Sequence, residues 1–226
     1  SEEFGALHPG VTFDISAEDL PESFAMEGAM TGATGALLID TERLRYDLAY
    51  EGVDFTASGS EIPLPQVSGA LGELGLLIEL PTQTEAPGDM ALTVALRDLT
   101  LGEEIWALVD PAGAIPRDPA SLIVDLSGTV RLIEDIFDTE EMAESDGDLP
   151  AEVQSVNVNE LRLSLAGAEL TGAGAVDLDW SGPGAFGPGT PAPDGSLTLQ
   201  LDGGQALLGT LVQMGLLSEE DAMMAR

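Results

Sequence analysis

Apolar residues recur at every second position through most of this 226-residue chain. Leu44, Tyr46, Leu48 and Tyr50 alternate with Arg43, Arg45 and Asp47. Leu74, Leu76, Ile78 and Leu80 form a second series, ended by Pro81; Leu92, Val94 and Leu96 form a third. Leu122, Val124 and Leu126 lead through Ser127-Gly128 into Val130 and Leu132. Leu161, Leu163 and Leu165 precede a Gly-rich turn, Val176, Leu178 and Trp180 follow it, and Leu197, Leu199 and Leu201 close the series. A period of two places successive side chains on opposite faces of an extended strand. The chain is therefore predicted to be mainly β, a long antiparallel curved sheet with one apolar and one polar face. Val53, Phe55 and Ala57 resume the alternation beyond Gly52, as a hairpin or as one long strand bulged at that glycine. Strands are also expected over 23–30 and 34–39.

Two or three short helices interrupt the pattern. Residues 102–109 carry acids in the first turn, which suits the helix dipole, and Asp110-Pro111 and Gly113 stop them. Residues 204–214 place Ala206, Leu207, Leu211 and Met214 on one face, with Gly215 as the cap. Ser218 and Asp221 resemble a capping box opening a last helix. An acidic stretch, 138–152, and a Gly/Pro/Ala/Ser stretch, 181–195, read as surface loops.

Charge excludes more than it assigns. The chain has 41 acidic residues, 7 basic ones, all Arg, and a formal charge of −34, with one His and no Cys. Disulfides, Cys-bound metals, Lys Schiff bases and Lys-dependent phosphate loops are impossible. Nucleic acid is a poor partner for so acidic a surface. The acids read as a solvation device spread along the chain. No apolar run is long enough for a transmembrane segment, and the start at Ser1 fits a processed protein or a fragment.

The strands show a weak duplication. Leu92–Leu96 runs into the first helix and Gly113; Leu197–Leu201 runs into the second and Gly215, 102 residues later. Leu44-Arg-Tyr-Asp-Leu48 is echoed by Leu161-Arg-Leu-Ser-Leu165. Residues 1–226 thus read as one β-rich domain or repeat array, with possible units at about 40–135 and 153–226, and as a piece of a longer chain.

Catalytic chemistry is not visible. His8, the lone histidine, is placed near a frayed terminus, and no catalytic residue or cofactor is expected. Calcium suits the composition, with Glu144, Asp146 and Asp148 as faint candidates that lack regular ligand spacing. Asp177 and Asp179 read as the wet face of a strand. Arg43 and Arg45 are expected to pair with cross-strand acids, an anionic head group being the alternative. Trp106, at helical spacing with Ile105 and Val109, is expected to anchor a core, and Met214, Met223 and Met224 to pack in it or at an interface.

Ser60-Glu-Ile-Pro-Leu-Pro-Gln66, Ile105-Trp-Ala-Leu-Val-Asp-Pro111, Ile115-Pro-Arg-Asp-Pro119 and Leu207–Leu217 resemble segments of an alphaproteobacterial envelope family catalogued as domain of unknown function 2125. The likeness covers most of residues 23–226. It implies that the chain is the second half of a longer exported protein and that it lies in the periplasm. The strand grammar is also similar, more loosely, to AsmA-like envelope proteins, whose curved sheets offer an apolar groove to lipid. The leading expectation is a non-enzymatic envelope protein that binds lipid or another apolar ligand on the concave sheet face. The lining would be Leu44, Tyr46, Leu48, Leu74, Leu76, Ile78, Leu92, Val94, Leu122, Val124, Leu161, Leu163 and Leu165. The alternative is an acidic structural or interaction protein that docks to a partner protein or membrane complex.

Overall fold

A computed structural model describes residues 2–17, 24–137, 151–182, 184, 187 and 189–224. Nine strands follow one another in a single antiparallel sheet, in chain order from edge to edge. They are β1 (Glu2–Ala17), β2 (Phe24–Ile39), β3 (Arg43–Gly59), β4 (Val67–Pro81), β5 (Gly88–Leu101), β6 (Ala120–Leu132), β7 (Ala151–Leu165), β8 (Ala168–Asp179) and β9 (Ala192–Asp202). Helix α1 (Glu103–Val109) joins β5 to β6; α2 (Gly204–Gln213) and α3 (Glu219–Met224) follow β9. The mainly β expectation holds: the sheet is open and curved, with three short helices. At about 4.8 Å per strand spacing and 3.3 Å per residue, it measures roughly 38 Å across and 40–55 Å along its strands.

Register explains why this chain prefers strands. Directly opposed residues of antiparallel strands share a face. Three apolar rows cross eight strands without a break. One runs Leu37, Tyr46, Ile78, Leu92, Leu126, Val158, Gly174, Leu197; the next Gly35, Leu48, Leu76, Val94, Val124, Leu161, Gly172, Leu199; the third Ala33, Tyr50, Leu74, Leu96, Leu122, Leu163, Leu170, Leu201. In β7 the apolar spacing lengthens to three between Val158 and Leu161, and there the register shifts against both neighbours. The bulge keeps both residues on the apolar face, since an extra residue resets alternation.

A second irregularity crosses the first five strands on one row. Gly10 and Gly52 (φ +67° and +56°) lie on β1 and β3, each opposite Thr31 of β2. Asp98 (φ +57°) lies on β5 beside Gly72 of β4, at the register shift between Leu96 and Leu99. On this row the apolar positions step by three: Tyr50 to Val53, Leu74 to Leu71, Leu96 to Leu99. The residues around Gly52 are thus one long strand, not a hairpin, and the β2–β3 register is unshifted there. Likewise 24–39 is one strand where two were expected. Residues 2–17 form a strand that the sequence did not announce, and His8 lies on it opposite Ala33, not at a frayed end.

The helices sit at one end of the sheet, where β5 and β9 terminate. Backbone bonds tie α1 down: Gly102 N–H donates to the Ser68 carbonyl (2.8 Å), and Ser68 N–H donates to the Glu104 carboxylate. This bond holds the Glu104 carboxyl below its usual range. No α1 residue is fully buried, and Leu108 and Val109 are exposed. Trp106 is therefore not a core anchor. It is half-covered, with the Arg117 guanidinium 5.4 Å from its ring centre. Below it, Asp110 is wholly inaccessible and accepts the N–H groups of Ala114 (2.9 Å) and Ile115 (2.8 Å), which lower its pKa. Gly215 (φ +73°) ends α2 one residue past its cap: its N–H reaches the Val212 carbonyl and that of Leu216 reaches Leu211, a Schellman motif. Ser218 Oγ accepts the Asp221 N–H (3.1 Å) and its hydroxyl meets the Asp221 carboxylate (2.6 Å), as the capping pattern predicts.

One layer cannot bury much. Ala57, Leu71, Pro81, Ala95, Ile123, Val130, Leu132 and Ala222 are the buried apolar side chains among the described residues. The accessible surface is 14124 Å², against about 9,700 Å² for a compact monomer of this mass.

Candidate ligand-binding face

All thirteen residues proposed to line a ligand face lie on the apolar side of the sheet. Twelve lie on the three rows or on the adjoining Leu44–Leu80 pair, and Leu165 pairs with Ala168 beside them. Exposure on this face is greatest at the β9 edge: Leu74 is 40% exposed and Leu163 41%, against 55% for Leu199 and 60% for Leu201. Glycines let large neighbours lean inward. A Cβ on Gly172 would stand 2.7 Å from a Leu199 methyl and 3.1 Å from one of Leu161, so the two leucines close over it.

The opposite face is organised by ion pairs. Arg45 pairs with Glu79 (2.9 Å) and Asp47 (3.3 Å), Arg43 with Glu79 (3.7 Å), and Arg97 with Glu73 (3.3 Å). The Glu79 bond is the main reason the Arg45 pKa is raised. Arg131 pairs with Glu152, Arg162 with Glu160 and Glu169, and Arg117 with Glu103. Every described Arg is thus held by a carboxylate. Ala95 and Ile123 oppose each other on this polar face and are buried there. Trp180 donates its indole N–H to the Val153 carbonyl (2.7 Å), next to Asp179, whose carboxylate accepts the Ser181 N–H.

A broad depression lies elsewhere, beyond the row of left-handed residues. It has a volume of about 900 Å³ and spans three successive rows of β1–β5. Its middle row is Phe13, Gly28, Phe55, Gly69, Leu101. Each Phe ring tip lies 2.6 Å from where a Cβ of the adjacent Gly would stand, so aromatic rings cover the glycines of neighbouring strands. The flanking rows bring Asp14, Glu27, Asp54 and several Thr and Ser side chains. Sequence reasoning missed this trough. Its signal is Phe placed cross-strand to Gly, readable only once β1 is known to be a strand and its register is set.

Glu144, Asp146 and Asp148 lie outside the described residues, as does Phe186 of the Gly/Pro-rich stretch. That stretch gives way to β9 at Ala192, and the acidic one to β7 at Ala151. No helix among the described residues is long and apolar enough to cross a membrane. In comparisons with known proteins, no family model, no curated protein and no solved structure matches the chain.

Proposed function

We propose that this chain is a non-enzymatic protein of the bacterial envelope, acting in the periplasm, that holds lipid or a similar apolar ligand on the apolar face of its open sheet. The observation that carries this reading is the unbroken apolar face across eight strands, with no second layer over it among the described residues. A monomer exposing that much contiguous apolar surface gains from a bound occupant, at about 25 cal/mol per Å² covered. Charge restricts the ligand. Each described Arg already holds a carboxylate, and the net charge is −34. An uncharged or zwitterionic lipid suits the face better than an anionic one. The envelope location rests on the family resemblance of Ser60–Gln66, Ile105–Pro111, Ile115–Pro119 and Leu207–Leu217 together.

Native mass spectrometry of protein purified gently from its own cells tests the proposal. A reproducible lipid mass is expected, lost on organic extraction and absent in a Val124→Glu/Leu163→Glu variant that keeps its β circular dichroism. An apo mass with a stoichiometric protein partner would overturn it in favour of a docking protein.

A further inference from the structure

β9 closes one edge of the sheet and, among the described residues, pairs with β8 alone. From Pro193 to Asp202 every residue is exposed. Its two sides differ in chemistry. Leu197, Leu199 and Leu201 continue the apolar rows, half or more exposed, whereas an interior leucine such as Leu48 or Leu76 has a neighbouring strand on each side. On the other side stand Asp194, Ser196, Thr198, Gln200 and Asp202. Here acids face acids across the strand pair. Asp194 lies directly opposite Asp177, and Asp202 directly opposite Glu169. No Arg among the described residues lies within ion-pair distance of Asp194 or Asp202. Among the described residues inside the sheet, Glu73, Glu79, Glu152, Glu160 and Glu169 each have an Arg from their own or a neighbouring strand, while Glu27, Glu51, Asp125 and Asp177 do not; β9 differs in combining such acids with an edge position.

We propose that β9 is a docking edge for an extended strand of another protein, apolar on one face and basic on the other. The free edge supplies main-chain hydrogen bonds, the leucines a continuing apolar row, and Asp194 and Asp202 the call for cations. A second copy of this chain fits badly. Two β9 strands paired antiparallel about Thr198 would set Asp194 against Asp202 at both ends, and the chain has no Lys to offer. This proposal does not depend on lipid binding, because the edge and the apolar face can be tested separately.

The probe is a synthetic eleven-residue strand alternating Leu/Val with Lys, and its counterpart with Glu in place of Lys. Fluorescence anisotropy at 0.15 M salt reads the affinity for the full chain. Hydrogen exchange reads where the peptide binds. The Lys peptide is expected to bind at least tenfold more tightly than the Glu peptide and to protect β9 amides but not those of β1. Asp194→Lys/Asp202→Lys is expected to reverse the preference. The proposal is overturned if the Lys peptide binds that variant unchanged, if it protects amides elsewhere and not in β9, or if it does not bind. It is also overturned if light scattering shows the wild-type chain forming a dimer that protects β9. The exchange measurement on wild-type protein decides even where the double variant folds poorly. Lipid loss on extraction, without change in peptide binding, separates this edge from the ligand face.

Discussion

Ala166 carries the clearest local cost in the molecule. It turns β7 into β8 with Gly167, and both residues have positive φ, +54° and +79°. A two-residue hairpin of this kind favours Asn-Gly, because an L-residue with a Cβ pays about 1–2 kcal/mol in the left-handed region while Asn pays less. Ala166→Asn is expected to raise stability by about 1 kcal/mol, seen as a higher denaturant midpoint with an unchanged slope. Asp110 makes the opposite kind of contribution. Its carboxylate binds the two N–H groups that shape the loop after α1, which lowers its pKa. The group is ionised in the folded state at a pH where the unfolded chain begins to protonate. Its stabilisation is thus complete above about pH 4, the unfolded value, and is lost as pH falls through the lower folded value. Asp110→Asn is expected to unfold several degrees below wild type at pH 7. Scans repeated toward pH 2 are expected to bring the two together. Asp40 behaves alike, its carboxylate accepting the Glu42 and Arg43 N–H groups in the β2–β3 turn.

At the scale of elements, the strands obey two rules at once. Apolar alternation sets which residues share a face, and glycine or a bulge resets it where the sequence slips by one. Gly52 shows the cost of losing the reset. A side chain there would take φ +56° and would meet Thr31 Oγ1 at 2.5 Å. Gly52→Val is expected to destabilise by at least about 2 kcal/mol, since left-handed strain alone approaches that figure for a branched residue. Hydrogen exchange is expected to show the loss first in β2 and β3. Alternation, helix caps and the stop at Gly215 were legible because each depends on neighbours within a few residues. The strand at 2–17 was not, because Val11, Phe13 and Ile15 gain meaning only from β2 beside them. Trp106 misled for a related reason: helical spacing shows which residues share a side, but not whether anything packs against that side.

The whole molecule is a charged single layer. Five acid pairs stand directly opposite one another: Asp14–Glu27, Glu51–Glu73, Asp125–Glu160, Asp177–Asp194 and Glu169–Asp202. Each costs about 0.2–1 kcal/mol before neighbouring arginines are counted. Exposed charges are screened by salt, with a Debye length near 10 Å at 0.1 M. Raising sodium chloride from 0.05 to 0.5 M is expected to raise the melting temperature by several degrees. A flat or falling profile would mean that the seven arginines already offset the repulsion. The open sheet also predicts a radius of gyration above the roughly 17 Å of a compact chain of this length, measurable by small-angle scattering on the extracted protein. The amino-acid order by itself determined that the chain forms amphipathic strands, where most of them end, and that the surface is acidic, because period, turns and charge are properties of adjacent residues. Tertiary structure alone decided that the strands pair in chain order without closing, that the apolar rows coincide across eight of them, and that Phe13 and Phe55 cover the glycines of neighbouring strands. Those outcomes depend on register between residues far apart in sequence, and register is set by pairing, not by any one strand.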